Sequence, residues 1–375
     1  MLTYLILLIL LIITFTLGLI LTPYIVAISK ELHLYDMPDS RKVHQLPIPR
    51  MGGMTFLPIV TIAISIVMVI LFRTHYDVDT LCGGTMIQHF LSYMAGAMML
   101  YTVGLYDDIH GVGYKVKFAV QTLSALMLCV SGLWVADFSY VFFVNVVPFW
   151  IGMPITVLFV VYVTNAMNLI DGIDGLASGL SCIALVVITL LNIIVCDIVW
   201  AMLSVSYLGV VMAFFYYNVF DKKSKTFMGD AGSLTLGFTL AFLVLHFWQV
   251  HPVWHPRFHN IGIVALSTLT IPMLDVVRVF ASRIRDGRNP FLPDKNHIHH
   301  KLMRAGLSGR QTMVVILLLS LLFVLSNYLV AAYMSQTLII VIDVLLYFLM
   351  HYVINIFITR REKASGVEYS RSFML

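Results

Sequence analysis

Long apolar segments alternate with short polar segments along the whole of this 375-residue chain. A helix needs about 20 predominantly apolar residues to cross the hydrocarbon core of a bilayer. Eleven stretches of suitable length can be counted, at residues 2–28, 52–72, 87–105, 117–135, 150–169, 176–195, 198–220, 233–250, 260–280, 312–333 and 336–359. The pattern predicts an all-α polytopic integral membrane protein with eleven transmembrane helices.

The composition agrees with this prediction. Hydrophobic residues make up 60% of the chain and charged residues only 11%, whereas about 25% of an average soluble domain is charged. The shortage of charged residues extends along the whole length, so we predict one transmembrane catalytic domain covering residues 1–375. The segment before Lys30 lacks the basic start of a signal peptide and is longer than its apolar core, so we expect a retained first span. The four cysteines show no CxxC spacing and predict neither a disulfide framework nor a zinc site.

Basic residues divide unequally between the two sets of loops that eleven spans create. The first set consists of residues 29–51, 106–116, 170–175, 221–232, 281–311 and the tail from 360. Nearly all loop lysines and arginines lie in this set, whereas the second set contains only Arg73 and Arg257. Because positive residues concentrate in cytoplasmic loops, we expect the first set in the cytoplasm, the N-terminus outside and the C-terminus inside.

The dense polar segments all lie in the predicted cytoplasmic loops or at span ends that lead into them. They are YDMPDSRKVHQLPIPRMGG (35–53), GLYDDIHGVGYKVK (104–117), NAMNLIDGIDG (165–175), SKTFMGDAGS (224–233) and ASRIRDGRNPFLPDKNHIHH (281–300). Segments from distant parts of the sequence that share one membrane face can build one site. We therefore predict a single active site formed by cytoplasmic loops.

Aspartates are the most prominent residues of these segments, at positions 107, 108, 171, 174 and 230. Carboxylates in one pocket repel one another and typically hold a divalent cation. Ligand sets made only of oxygen favour magnesium, which usually also binds substrate phosphates. Asp230, at the start of a predicted span, has helix N-capping as an alternative role. A spacing of three residues separates Asn165, Asn168, Asp171 and Asp174. Successive members of this set would be neighbours on a helix. The whole set cannot share one face, because three residues fall short of a full helical turn.

Basic groups accompany the acids and predict contact with anionic substrates. They are Lys42, His44, Lys117, Arg283, Arg285, His297, His299 and His300. The alternative for each lysine and arginine is contact with lipid headgroups. A zinc site at the H-x-H-H sequence is disfavoured because no cysteine is near.

Two polar features lie outside this predicted site. The histidine-rich segment 246–259 falls on the opposite face, where we expect an interfacial aromatic belt. Asp343 lies within the last span, where an acid is costly, and either a function or pairing within the helix bundle would explain it.

The segments DDIHGVGYKVK, NAMNLIDGIDGL, FMGDAGS and HIHH, in this order, resemble those of the polyprenyl-phosphate N-acetylhexosamine-1-phosphate transferases. The resemblance covers residues 35–306. It implies transfer of N-acetylglucosamine-1-phosphate from UDP-GlcNAc to undecaprenyl phosphate, with release of UMP and with Mg²⁺, or alternatively Mn²⁺, as cofactor. The H-I-H-H sequence after two arginines resembles the branch that primes O-antigen and related surface glycans. The branch that uses UDP-MurNAc-pentapeptide typically has an uninterrupted histidine triplet, and UDP-GalNAc or a deoxy-amino sugar nucleotide remains an alternative donor.

The resemblance also implies roles for particular residues. As a mechanistic hypothesis beside the resemblance, the metal ligands would be Asp230, helped by Asp108 or Asp171, and Asp107 would be the base within a catalytic group of Asp107, Asp108, Asp171 and Asp174. Residues in contact with the substrates would be Lys42, His44, Lys117, Asn165, Asn168, Phe227, Arg283, Arg285, His297, His299 and His300. Asn218 lies further from FMGD than the resemblance leads us to expect, and it is given no role. The resemblance implies an enzyme of the bacterial inner membrane that contacts membrane lipids and no nucleic acid, with a homodimer as a plausible assembly.

Alternatives remain open at this point. A secondary transporter or lipid flippase would place its polar residues near the middle of the bilayer rather than at one face. A CDP-alcohol phosphatidyltransferase would need an arginine soon after Asp-Gly, and residues 174–178 contain none. Direct attack by the lipid phosphate and a covalent aspartyl intermediate both remain open.

Overall fold

A computed structural model describes residues 2–37, 47–73, 84–138, 144–254, 260–289 and 296–365. Within these ranges the helices are α1 Leu2–Glu31, α2 Phe56–Arg73, α3 Gly84–His110, α4 Tyr114–Val130, α5 Phe149–Ile170, α6 Leu176–Ile194, α7 Ile198–Val219, α8 Gly229–Trp254, α9 Ile261–Ser267, α10 Thr270–Arg285, α11 Ile298–Arg304, α12 Gly309–Val330 and α13 Gln336–Ser365. A 3-10 turn, Gly52–Thr55, leads into α2. Two short antiparallel pairs join β1 Tyr35–Asp36 to β2 Ile48–Pro49 and β3 Asp137–Phe138 to β4 Val144–Val146.

Every predicted span coincides with helical structure. Among the described residues, eight helices are long and apolar enough to cross a membrane, and a bent pair raises the number to nine. The chain is therefore a multi-pass membrane protein. The helices α3 and α4 occupy the two remaining predicted spans, and α4 has only 17 residues. The count of eleven and the orientation of the termini remain predictions.

The predicted span 260–280 is a broken helix rather than a continuous one. Helices α9 and α10 meet at an angle of 63°. Pro272 lies in the first turn of α10, where its missing N–H is tolerated, but its ring prevents α9 from continuing through this point. The Tyr162 hydroxyl, on α5, donates a hydrogen bond to the Met273 carbonyl just after the break. The break therefore follows from proline geometry and is tied to a neighbouring helix.

The buried centre of the bundle is formed by α7 and α8, whereas α1, α12 and α13 expose many large apolar side chains. That exposure is expected where the surrounding solvent is lipid. Small residues bring α1 close to α7, because a Cβ at Gly18 would lie 2.7 Å from the Ala213 Cβ. Close backbone approach of this kind is typical of helices that pack inside membranes.

Candidate active site

Two glycine-containing segments that are distant in sequence lie side by side at one end of the bundle. Phe227 N donates to the Pro49 carbonyl at 2.8 Å, and Gly52 N donates to the Phe227 carbonyl at 2.9 Å. Gly53 N then donates to the Met228 carbonyl at 2.8 Å. These backbone bonds fix the position of the FMGD segment, including the half-buried Phe227, before α8 begins.

Gly229 makes the turn into α8 with a φ of +73°, a conformation that favours glycine. A Cβ at this position would lie 2.6 Å from Asp108 Oδ2 and would overlap with the Arg50 carbonyl oxygen. The close approach lets α8 start directly against the end of α3.

Asp108, near the end of α3, caps the N-terminus of α8 across the helix interface. Its carboxylate accepts hydrogen bonds from Asp230 N at 2.9 Å and Ala231 N at 3.0 Å, and the residue is buried. Burial raises the pKa of Asp108 to about 7, against the opposing effect of these two hydrogen bonds. The capping alternative considered for Asp230 is therefore wrong, because Asp108 supplies the cap and Asp230 only stands in the first turn of α8.

Arg50 holds the end of α3 in this position. Its Nη2 donates to the carbonyls of Asp107 and Asp108 at 3.1 and 2.7 Å, and its Nε donates to the Asp108 carbonyl at 3.0 Å. Terminal carbonyls of a helix lack partners inside the helix, and a cation is favoured there. Arg50 was not among the predicted site residues, although it lies two positions before the Gly52-Gly53 pair.

Four helix ends meet around Lys117, at the start of α4. Its Nζ lies 3.1 Å from Asp107 Oδ2 and 2.6 Å from Asp230 Oδ2. Asn168, near the end of α5, donates to Asp230 Oδ1 at 3.1 Å and to the Ser233 hydroxyl at 2.8 Å. We call this group of Asp107, Lys117, Asn168 and Asp230 the aspartate junction. The structure thus brings together four of the predicted site residues from α3, α4, α5 and α8.

Asp171 ends α5 and belongs to the turn that carries the DGIDG sequence. Burial raises its pKa to about 7, and the nearby charges of Asp174 and Asp230 raise it further. Asp174 is instead paired with Lys225, at 2.5 Å. Asp171 therefore lies in the field of the aspartate junction, while Asp174 faces the lysine-rich segment before FMGD.

Asn218, for which no role was predicted, connects these two segments. Its Oδ1 accepts a hydrogen bond from Gly175 N at 2.5 Å, and its Nδ2 donates to the Thr226 carbonyl at 2.8 Å. The residue is buried. A buried amide with both ends bonded to backbone is a structural tie, and an isolated asparagine at the end of an apolar helix is the one sequence signal that could have indicated it.

The HIHH segment contacts the DGIDG turn through His299. A Cβ at Gly172 would overlap with the His299 ring, so the two residues are in close contact. The His297 and His299 rings are stacked, with centroids 5.8 Å apart. Burial lowers the pKa of His299 to about 3, and the neighbouring His300 and His297 lower it further, so the His299 ring is neutral. His300 lies next to His299, with ring centroids 4.2 Å apart.

Other predicted site residues are placed differently. Asn165 forms a paired amide contact with Gln121 of α4, at 2.6 and 3.3 Å. Arg283 is buried with its guanidinium carbon 5.8 Å from the Phe280 ring centroid, and Arg285 lies 3.7 Å from Asp286. Lys42 and His44 lie outside the described residues.

The two polar features outside the site have partners in the bundle. His246 Nε2 lies 2.7 Å from Asp197 Oδ2, and most of the remaining histidine-rich segment lies outside the described side chains. Asp343 accepts a hydrogen bond from Asn327 Nδ2 at 2.7 Å. This contact is the pairing within the bundle that was one of the two alternatives for Asp343.

The carboxylates of the aspartate junction are the residues that could hold a magnesium ion. Within the described ranges, no three His, Cys, Asp or Glu side chains form a metal-binding group by themselves. Asp107 and Asp230 nevertheless share one cation, the Lys117 ammonium. Magnesium is usually bound by one or two carboxylates together with substrate phosphates and water. Asp230 and a second nearby carboxylate could therefore hold a magnesium ion that is also bound by a substrate phosphate.

The helix bundle and the aspartate junction together indicate the class of protein. It is a multi-pass membrane protein with an acidic site where the ends of several helices meet. Residues 90–247 match the family described as glycosyl transferase family 4. The chain is 31% identical to a probable undecaprenyl-phosphate N-acetylglucosaminyl 1-phosphate transferase of Bacillus subtilis (strain 168), over 82% of this chain and 80% of that protein. It is 30% identical to an undecaprenyl-phosphate alpha-N-acetylglucosaminyl 1-phosphate transferase of Escherichia coli (strain K12), over 88% of this chain and 85% of that protein. The chain belongs to glycosyl transferase family 4.

Proposed function

We propose that this protein transfers N-acetylglucosamine-1-phosphate from UDP-GlcNAc to undecaprenyl phosphate, giving undecaprenyl-diphospho-GlcNAc and UMP. The observation that supports it most directly is the aspartate junction, in which two carboxylates, an amide and a lysine meet where four helices end. The names of the relatives support the same acceptor and the same transferred group. We further propose that the enzyme works in the inner membrane of a bacterial cell and that its product primes O-antigen or a related surface glycan.

The position of the junction suits this reaction because the two substrates differ in solubility. The phosphate of a polyprenyl lipid stays at the membrane surface, while a sugar nucleotide approaches from water. A site at helix ends is where both can meet. A transporter would instead need its polar residues near the bilayer midplane.

Asp107 is the proposed base of the reaction. Its Oδ1 accepts a hydrogen bond from Val112 N at 2.5 Å and its Oδ2 contacts Lys117, so the carboxylate is held in a defined orientation. Asp107 would take the proton of the lipid phosphate, whose oxygen then attacks the β-phosphorus of UDP-GlcNAc. The bond between that phosphorus and the bridging oxygen breaks, and UMP leaves with the electron pair. A covalent aspartyl phosphate is the alternative, and trapping a labelled phospho-enzyme would establish it.

Lys117 and Asn168 have supporting roles in this proposal. An ammonium between two carboxylates can also neutralise phosphate charge, which accounts for much of phosphoryl-transfer catalysis. Asn168 holds Asp230 in position through its hydrogen bonds to Asp230 and Ser233. Asp230 and a second carboxylate, Asp108 or Asp171, would hold Mg²⁺, which would supply Lewis-acid stabilisation of the diphosphate.

A transfer assay on the purified protein in detergent tests the proposal. Undecaprenyl phosphate, labelled UDP-GlcNAc and Mg²⁺ are incubated with it, and lipid-extractable label and UMP are measured. We expect label transfer that EDTA abolishes and that excess Mg²⁺ restores. UDP-GalNAc and UDP-MurNAc-pentapeptide are assayed in parallel, because a preference for either would assign a different donor. Uptake of UDP-sugar by proteoliposomes without lipid labelling would support a transporter instead.

A further inference from the structure

Asp275 is a fully buried carboxylate on α10 with four hydrogen-bond donors around it. Its Oδ1 accepts from Arg278 Nη2 at 2.8 Å, from Ile298 N at 3.0 Å and from the Tyr347 hydroxyl at 3.2 Å. Its Oδ2 lies 2.8 Å from His297 Nδ1. Neither the predicted site nor the proposed mechanism includes this residue.

We propose that Asp275 is a positioning residue that fixes His297 as the Nδ1–H tautomer and so leaves Nε2 as the acceptor of the ring. One part of this proposal, the contact of His297 with the sugar nucleotide, rests on the proposed function. An ionised carboxylate accepts hydrogen bonds and donates none, and Arg278 at 2.8 Å supplies the balancing charge. Nδ1 must therefore donate, and in the neutral ring the second nitrogen then carries a lone pair.

The same carboxylate also holds the backbone of the HIHH segment. Ile298 N, which donates to Asp275, opens α11 directly after His297. Arg278 donates in addition to the carbonyl of Asn296, directly before His297. The buried pair of Asp275 and Arg278 thus holds the ring of His297 and also the backbone on either side of it. Because His297 stacks on His299, and His299 touches Gly172, this anchoring sets where HIHH lies against the DGIDG turn.

The substitution Asp275→Asn distinguishes this role from simple structural support. Three donors crowd Oδ1, so the asparagine oxygen is expected to take that position and its amide the position of Oδ2. An amide nitrogen donates, so His297 Nδ1 would have to accept and the proton would move to Nε2. The variant keeps the size of the side chain and reverses the tautomer.

We expect kcat/KM for UDP-GlcNAc to fall about tenfold or more in Asp275→Asn, since one lost hydrogen bond of about 1.4 kcal/mol corresponds to a factor of ten. Most of the change should appear in KM, as expected for a lost binding contact. The Tyr347→Phe control removes one donor to Oδ1 but leaves the His297 contact, and we expect its KM to stay within about twofold of the original.

A double variant separates positioning from support. If Asp275 acts through His297, Asp275→Asn added to His297→Gln should cause no further loss of kcat/KM. A full second loss in the double variant would show that Asp275 only supports the fold, and it would overturn the proposal.

The tautomer itself can be measured without any activity. Nitrogen-15 NMR of histidine-labelled protein gives the protonated nitrogen, and the His297 signal is the one that disappears in His297→Gln. We expect a proton on Nδ1 in the unmodified protein. A proton on Nε2 there would overturn the proposal even if Asp275→Asn fails to fold. If the tautomer is the expected one but the protein shows no transfer activity, the result would count against the proposed function instead.

Discussion

Lys117 is the residue on which the geometry of the aspartate junction depends. Its ammonium bridges Asp107 and Asp230, at 3.1 and 2.6 Å. Two carboxylates this close to one cation would repel each other without it. The contact explains why a lysine is present at the start of a membrane helix.

The substitution Lys117→Met is expected to lower kcat at least about a hundredfold, because it removes a cation aimed at phosphate charge. The transfer assay measures this loss. The matched control is Lys115→Gln on the same helix, where the side chain is exposed, and it should keep nearly full activity. Equal activity in both variants would contradict the role given to Lys117.

Gly172 is a second residue whose identity follows from a contact. A Cβ here would overlap with the His299 ring, so Gly172→Ala should push the HIHH segment away from the DGIDG turn. A displacement of about 1 Å can cost about a hundredfold in rate, and we expect a loss of this order in kcat/KM. In Gly309→Ala nothing lies within 4 Å of the added Cβ, so this control should retain its activity.

At the scale of helices, the end of α3 and the start of α8 form one unit. Asp108 accepts the hydrogen bonds of Asp230 N and Ala231 N, which no residue of α8 itself can accept. The same carboxylate was predicted to bind metal. Its observed bonds show a helix cap provided by another helix.

Stability measurements in EDTA test this cap. Asp108→Ala leaves the N–H groups of Asp230 and Ala231 without this partner, which costs up to about 1–3 kcal/mol for a buried group, so the melting temperature should fall even without metal. Asp108→Asn keeps one acceptor oxygen and should show a smaller drop. An unchanged melting temperature for Asp108→Ala in EDTA would mean that the residue acts only as a metal ligand.

The docking of α11 against α13 should depend on pH. Lys301 is buried and donates to Asn355 Oδ1 at 3.1 Å. Burial lowers the pKa of Lys301 to about 7, and nearby Arg278 lowers it further. Between this value and the usual 10.5 the unfolded chain binds more protons than the folded one, so the free energy of unfolding rises with pH in that window.

We therefore expect the melting temperature to rise between about pH 7 and about pH 9, and Lys301→Met to flatten this rise. The pKa values of Asp108 and Asp171 are raised from 3.8 to about 7, so their contribution to the free energy of unfolding changes with pH below this window. The exposed Lys363 of α13 provides a control, and Lys363→Met should leave the slope unchanged. A slope that persists in Lys301→Met would assign the pH dependence to another group.

At the scale of the whole molecule, the charge distribution predicts orientation. Lysines and arginines concentrate in loops on the side of the aspartate junction, and the positive-inside rule assigns that side to the cytoplasm. Eleven spans would then leave the two termini on opposite sides. A fluorescent protein fused to the C-terminus should fluoresce in a bacterial host, and alkaline phosphatase fused there should be inactive. Active phosphatase at the C-terminus would refute the orientation.

Local sequence was sufficient for much of the fold. Helices lie at all the predicted spans, because a bilayer sets a minimum apolar length that is visible in any window of the chain. The meeting of Asp107, Lys117, Asn168 and Asp230 was also predicted from their common membrane face and from the family resemblance. The break between α9 and α10 was not predicted, although Pro272 is its local signal.

Sequence alone determined the apolar helices, the side of the membrane that collects positive charge, and the residue types available to the site. Only tertiary structure decided which of two adjacent aspartates faces Lys117 and which caps α8, because neighbours on a helix point about 100° apart and packing selects the direction of each. Asp275 and Asn218 were overlooked for a related reason. A buried polar side chain is explained by its partners, and these come from helices that are distant in the sequence.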